Sequence, residues 1–140
     1  MTSLVSDLKN EHDKIVGVFG QIEKHGISSD EGRKLLLSIK SELLQHLEKE
    51  DEQLYPVLFK EAETDSLLSQ DLDRYSEEIH GLYKEALDFF DKYSSNGKNI
   101  EFAQDFRKLF SIIAFRIYKG ESIFYKKYNE IVLGRKLRLC

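Results

Sequence analysis

Apolar residues recur along this chain at spacings of three and four, never at two, over four long stretches. That is the period of helices burying one face. The first stretch runs from about Ser3 to His25, with Leu4, Leu8, Ile15, Phe19 and Ile22 on one stripe, and ends at Gly26. The second begins after Ser29-Asp30-Glu31, residues suited to a helix N-terminus, and carries Leu36, Ile39, Leu43, Leu54 and Val57. Pro56 must kink or interrupt it, because proline lacks an N–H and crowds the preceding turn. The third follows Thr64-Asp65 with Leu68, Leu72, Ile79, Leu82, Ala86 and Phe90, stopping near Ser94-Ser95-Asn96-Gly97. The fourth starts around Asn99 and carries Phe106, Leu109, Phe110, Ile113, Ile117, Phe124 and Tyr128 to Gly134. Helices of roughly 25 residues are about 37 Å long. Joined by short connections, they predict an all-α fold, an antiparallel up-down-up-down four-helix bundle. A helical repeat array would need shorter helices and a sequence repeat, and neither is present.

Composition narrows the class. The chain has 140 residues, enough for one domain, expected over 1–134 with a short basic tail at 135–140. A lone cysteine, Cys140, excludes a disulfide framework and a cysteine-based zinc site. No apolar run approaches the ~18 residues of a membrane span, and the N-terminus has no signal-peptide core, so the expectation is a cytoplasmic protein without membrane contact. Net charge is −4, but residues 101–140 carry 9 Lys and Arg against 4 Asp and Glu. Arg107, Lys108, Lys119, Lys126 and Lys127 alternate with apolar residues as a solvated helix face does. Only Arg135, Lys136 and Arg138 cluster, which is weak support for a nucleic-acid partner, and none is expected.

The polar residues on the apolar stripes carry the chemistry. His12 continues Leu4 and Leu8; His46 and Glu50 continue Leu36, Ile39 and Leu43; His80 sits beside Ile79. In the fourth stretch Arg116 and Glu121 interrupt Ile113, Ile117 and Phe124. Burying a charge without a partner is expensive, so these groups must meet each other or a cation. His12, His46 and His80 are spaced 34 residues apart, one helix and one loop each time, which places them at matched depth in an antiparallel bundle. Any one of them alone is most simply a hydrogen-bonded core residue, and a His–Glu pair at i, i+4 a plain helix pair. Three at one depth, with Glu50 one turn from His46 and Glu121 available, match the logic of a buried carboxylate-bridged iron site. His25 lies at a helix C-terminus, where an imidazolium suits the dipole without a metal.

These residues resemble the hemerythrin-like (HHE) cation-binding domains. Glu11-His12-Asp13-Lys14-Ile15 is similar to that family's first-helix motif. The run from His46 to Pro56, a His-x3-Glu followed by an aromatic-Pro break, is similar to its most diagnostic motif, and Ile79-His80 stands where the third helix contributes a histidine. The resemblance covers residues 5–130 and implies a non-haem iron site, usually two irons bridged by carboxylates and a solvent-derived oxygen. It implies His12, His46 and His80 as end-on ligands and Glu50 as a bridge, with dioxygen binding, response to nitric oxide or redox state, or iron handling as activities.

The fourth helix departs from that pattern. Aligning Phe124-Tyr125 with Leu54-Tyr55 puts Arg116 where a histidine is expected and Gly120 where the carboxylate would stand, with Glu121 one position later. Lys84, four residues after His80, occupies the place of a further histidine in oxygen carriers. Arg and Lys do not ligate a hard cation; each brings a positive charge instead. Arg116 is therefore expected to pair with Glu50 or Glu121 and stand in for one metal's charge. Tyr118 or Tyr125 could replace a missing ligand, although their angular positions argue against it. The centre is expected to hold one iron, or a second one loosely; another divalent metal, or none, would also fit the residues. Dioxygen or nitric oxide is the expected small ligand, and a protein partner or homo-oligomer is open. No nucleophile–base pair or phosphate-binding loop appears, which favours a binding or sensing domain over a turnover enzyme. A metal-free bundle acting as an interaction or regulatory module is the alternative, and an iron-dependent oxidase or peroxidase a third reading.

Overall fold

The computed structural model describes residues 1–26, 29–93 and 101–139, with side chains of the last helix as far as Gly134. The described residues are all helical apart from short connections. Helix α1 spans Ser3–His25, α2 Asp30–Lys49, α3 Tyr55–Ala62, α4 Ser66–Tyr93, α5 Glu101–Lys119 and α6 Lys126–Leu139. Two π-helical turns, Glu50–Leu54 and Gly120–Tyr125, splice α2 to α3 and α5 to α6. The result is four helical arms, consistent with a four-helix bundle. α1 packs along α2 and α4 along α5, while α3 lies against α4 and α6.

The helix starts follow local hydrogen bonding. Thr2 Oγ1 accepts from the Val5 N–H, Ser29 Oγ from Gly32, and Asp65 Oδ1 from Leu68, each satisfying a first-turn donor with no intrahelical partner. α1 ends on Gly26, whose φ of 71° only glycine adopts without strain, and the Gly26 N–H closes on the Ile22 carbonyl. Thr2 also ties the start of the chain to α6, through its N–H and hydroxyl donated to Asn129 Oδ1 at 3.0 and 2.7 Å. Pro56 does not break its arm. It sits in the first turn of α3, and the π turn before it bonds the Tyr55 N–H to the Glu50 carbonyl, five residues back. The expected stop at Ser94–Gly97 and start at Asn99 lie outside the described residues. The last helix continues past Gly134 to Leu139, so the backbone of the basic segment is helical, while the side chains of Arg135, Lys136, Arg138 and Cys140 lie outside the described residues.

The core is divided in two. One apolar cluster gathers Ile15, Phe19 and Ile22 of α1, Leu36, Ile39 and Leu43 of α2, Leu82, Ala86 and Phe90 of α4 and Phe106, Leu109 and Ile113 of α5. The other gathers Val5, Leu8, Leu54, Leu58, Leu68, Leu72, Tyr75, Phe124, Tyr125 and Ile131. Along α1 the boundary falls between Leu8 and Ile15, where His12 stands; along the second arm it falls between Leu47 and Leu54, where Glu50 stands. His12, His46 and Glu50 are the buried polar residues, 5%, 3% and 4% exposed. A polar layer thus separates two dry halves.

The glycines give a test of the packing. A Cβ at Gly32 would run into the Gly26 carbonyl oxygen and crowd Ser29 Oγ, whereas one at Gly81 would meet nothing within 4 Å. Gly32→Ala is expected to destabilise by about 1–3 kcal/mol. Gly81→Ala, in mid-helix, should stabilise by about 0.5–1 kcal/mol. Urea midpoints at unchanged m value check both.

Candidate metal centre

Each member of the polar layer is placed by its helix. His12 and Glu11 come from the middle of α1, His46 from the last turn of α2, and Glu50 from the first residue of the π turn beyond it. The two imidazoles face each other, Nε2 to Nε2 at 2.9 Å. His46 Nε2 is also 3.2 Å from Glu50 Oε1. The fourth member is Tyr125, wholly buried, whose hydroxyl donates to Glu50 Oε2 at 2.9 Å and lies 3.1 Å from His12 Nε2. Its ring stacks on that of His12, 11° from parallel.

The far nitrogens of both imidazoles face carboxylates. His46 Nδ1 lies 2.9 Å from Glu11 Oε1, and Glu11 is held in turn by Lys49 Nζ at 2.8 Å from its other oxygen. His12 Nδ1 is buried without a hydrogen-bond partner, its nearest carboxylate being Glu121 Oε1 at 3.6 Å. With the Nδ1 atoms facing outward toward carboxylates, both Nε2 atoms are turned to the interior, the orientation that metal-ligating histidines adopt.

Protons are distributed unevenly over the layer. Burial, and then the charge of His46, holds the His12 imidazole down to about 3. Burial opposes the charged form of His46 too, but hydrogen bonds and charge from Glu50 and then Glu11 outweigh it and raise its pKa. Burial would raise Glu11, yet Lys49 and His46 hold its carboxyl below the usual range. Burial, and then the charge of Glu50, pushes the Tyr125 phenol far above its ordinary value. Burial likewise raises Glu121. Burial and charge thus favour the neutral form of His12 and the charged form of His46, with His46 and Tyr125 on the two oxygens of Glu50 and His12 against His46 and Tyr125.

Some expected members are elsewhere. His80 is exposed, because the buried stripe of α4 runs through Leu72, Tyr75 and Leu82 and leaves His80 one residue further round, toward solvent. Lys84, one turn on, is exposed for the same reason and faces no buried cation position. Arg116 is directed toward the interior but does not pair with Glu50 or Glu121. Its guanidinium pairs with Glu78 of α4, which Lys119 also approaches at 4.0 Å, while Tyr125 has taken the second oxygen of Glu50. Arg116 Nε is buried without a partner beside a cavity of about 20 Å³, which Tyr75, Ile79, Leu82, Ile113 and Ile117 also line. That volume holds about one water molecule.

Glu11, Glu78 and Tyr125 are the members that spacing alone did not bring forward. Glu11 had one signal, its place directly before His12 in the first-helix segment. Tyr125 lies off the buried stripe in an unbroken helix, where about 100° per residue puts it about 120° from Ile113. The π turn Gly120–Tyr125 absorbs one residue and brings it to within about 20° of that meridian.

The arrangement coincides with one domain family. The model of that family, the hemerythrin HHE cation binding domain, matches residues 3–128. The chain belongs to this family. It is thus a hemerythrin-like helical domain of a metal-binding kind. No curated protein and no solved structure matches it significantly. Among the described residues no helix is long and apolar enough to cross a membrane.

How far the residues fit the family's metal depends on its count. Among the described residues no group of three or more His, Cys, Asp or Glu side chains is arranged to hold a metal ion. The half of the layer facing α4 and α5 offers an exposed His80, a cationic Arg116 and Gly120 where the family pattern expects further donors. His12, His46 and Glu50 supply donor types that suit one cation, two facing imidazoles and a carboxylate beside His46.

Glu50→Ala would leave the buried His46 imidazole, whose charged form Glu50 favours, and the Tyr125 hydroxyl without their shared acceptor. It is expected to cost about 3–5 kcal/mol in metal-free protein. His80→Ala, at an exposed position, should stay within about 0.5 kcal/mol. Chemical denaturation in the presence of chelator measures both.

Proposed function

We propose that this hemerythrin-like domain binds a single non-haem iron and serves as a sensor of dioxygen, nitric oxide or redox state, or as an iron-handling module. The observation that carries the reading is the facing pair of Nε2 atoms at 2.9 Å, each on an imidazole whose Nδ1 faces a carboxylate. His12, His46 and Glu50 would hold the metal, with Glu121 and Glu11 orienting the two imidazoles. When bound, the iron would supply a redox couple and an open position for a small neutral ligand. The protein's own contribution is to fix the imidazoles, exclude bulk water with the two apolar clusters, and leave a cavity of about 20 Å³ beside Arg116. His80 and Lys84 take no part in this reading. The antiparallel up-down-up-down order belongs to the same proposal, supported by the short connection from His25 to Asp30 and that from Ala62 to Ser66.

A second reading is favoured by the mutual satisfaction of the buried groups. His12, His46, Glu50 and Tyr125 already hydrogen-bond one another, as they would in a metal-free regulatory bundle. The two readings part on metal dependence. Protein purified and loaded anaerobically with ferrous iron should carry one iron per chain. Saturation at 100 times the dissociation constant adds about 2.7 kcal/mol, so chelation should lower the melting temperature by about 10 °C. His46→Ala and Glu50→Ala should lose the iron, and His80→Ala should keep it. Two tightly bound irons per chain would overturn the single-site reading, and melting indifferent to iron and chelator would leave the metal-free bundle.

A further inference from the structure

A second recess lies in the crease between α3 and α4, separated from the cavity beside Arg116 by Tyr75 and Ile79, which line both. Its volume is about 310 Å³, at the lower end of the range of small-molecule sites. Aromatic rings wall it: Tyr55 and Phe59, one turn apart in α3, and Tyr75 of α4. The ring centroids stand 6.4 Å apart for Tyr55 and Phe59 and 5.9 Å apart for Tyr55 and Tyr75. Tyr75 is buried and braced from behind by Phe124 at 4.7 Å, whereas Phe59 is 48% exposed. Pro56 adds apolar wall, and its place in the first turn of α3 fixes the ring beside it. The charged group at the recess is Asp51, from the π turn before α3. Glu50 of that turn is buried in the polar layer, but Asp51, the next residue, is exposed.

Nothing in the chain neutralises this arrangement. No lysine or arginine lines the recess, and among the described residues no cation stands over the Tyr55 or Phe59 ring. Phe115, 49% exposed, shows the contrast: Arg116 and Lys119 already stand 5.1 and 5.0 Å over its ring. Aromatic faces attract cations, and a carboxylate beside them adds to that attraction. A primary ammonium or a guanidinium would bring several N–H donors, more than one carboxylate in an otherwise apolar wall can satisfy. A quaternary ammonium has no N–H and needs only opposite charge and apolar contact. We propose that this recess binds a small quaternary ammonium ion, with its methyl groups against Tyr55, Phe59 and Tyr75 and its charge balanced by Asp51. The site takes no group from the candidate metal centre and does not depend on metal.

The probe is choline, titrated into the full chain in the presence of chelator and followed by the ring signals of Tyr55 and Phe59 in NMR. Saturable shifts of those rings are expected, with the Phe115 ring unmoved. The uncharged isostere of choline, with carbon in place of nitrogen, should bind more weakly by about fivefold or more. Choline should lose a similar factor on Phe59→Ala and on Asp51→Asn. Should Phe59→Ala not fold, Phe59→Leu keeps most of the apolar volume without the ring and is expected to show the same loss. Phosphatidylcholine vesicles separate the two sources of such a headgroup. Retention on vesicles that free choline displaces supports the site as one for a lipid headgroup, and choline binding without retention supports it as one for a free molecule. Rings that choline does not move, an isostere that binds as tightly as choline, or unchanged binding in Phe59→Leu and Asp51→Asn overturns the proposal. None of these outcomes bears on the metal reading.

Discussion

Four polar groups buried between two apolar clusters must satisfy one another, and all their polar atoms but His12 Nδ1 find a hydrogen-bond partner. Desolvating an imidazolium, a carboxylate and a phenol costs several kcal/mol each unless every donor meets an acceptor. Here the Glu50 carboxylate is the common acceptor, with His46 on one oxygen and Tyr125 on the other. His12 completes the ring against both. Because α1, the second arm and the fourth arm each contribute, the register of three helical arms is tied to one set of hydrogen bonds. A bundle of apolar stripes alone could slide by a turn at little cost; this one cannot without orphaning a buried charge.

The two π turns make that convergence possible. Both arms that carry one change phase at their site residues, one at Glu50–Leu54 ahead of Pro56 and the other at Gly120–Tyr125. A π turn costs some helical hydrogen bonding, and such turns are frequent at functional sites. In the second arm the turn leaves Glu50 inside while bringing Leu54 into the cluster of Val5, Leu8 and Leu58. In the fourth it carries Tyr125 into the layer beside Glu50 and His12.

In the same arm the chain departs from the family's pattern of donors. Arg116 lies where the family pattern expects a donor, but its partner is Glu78 of the neighbouring helix, so the positive charge is neutralised locally and does not reach Glu50. The cavity beside it remains small and mostly apolar-walled. One half of the layer is thus polar and mutually hydrogen-bonded, and the other cationic and apolar-walled.

The sequence by itself determined the helical class, the caps at Ser29 and Asp65, and the burial of His12, His46 and Glu50, because these depend on local periodicity and hydrogen bonding over three or four residues. The family resemblance was legible too, since the His46–Pro56 motif is contiguous. Only the tertiary structure decided the rest. His80 shares the depth of the other histidines but not their face, and a spacing of 34 residues fixes depth without fixing rotation. Glu78 and Glu11 became partners because neighbouring helices brought them opposite Arg116 and His46. Tyr125 entered the layer because one extra residue in a π turn rotates everything after it, a phase change that a uniform 3.6-residue period cannot register.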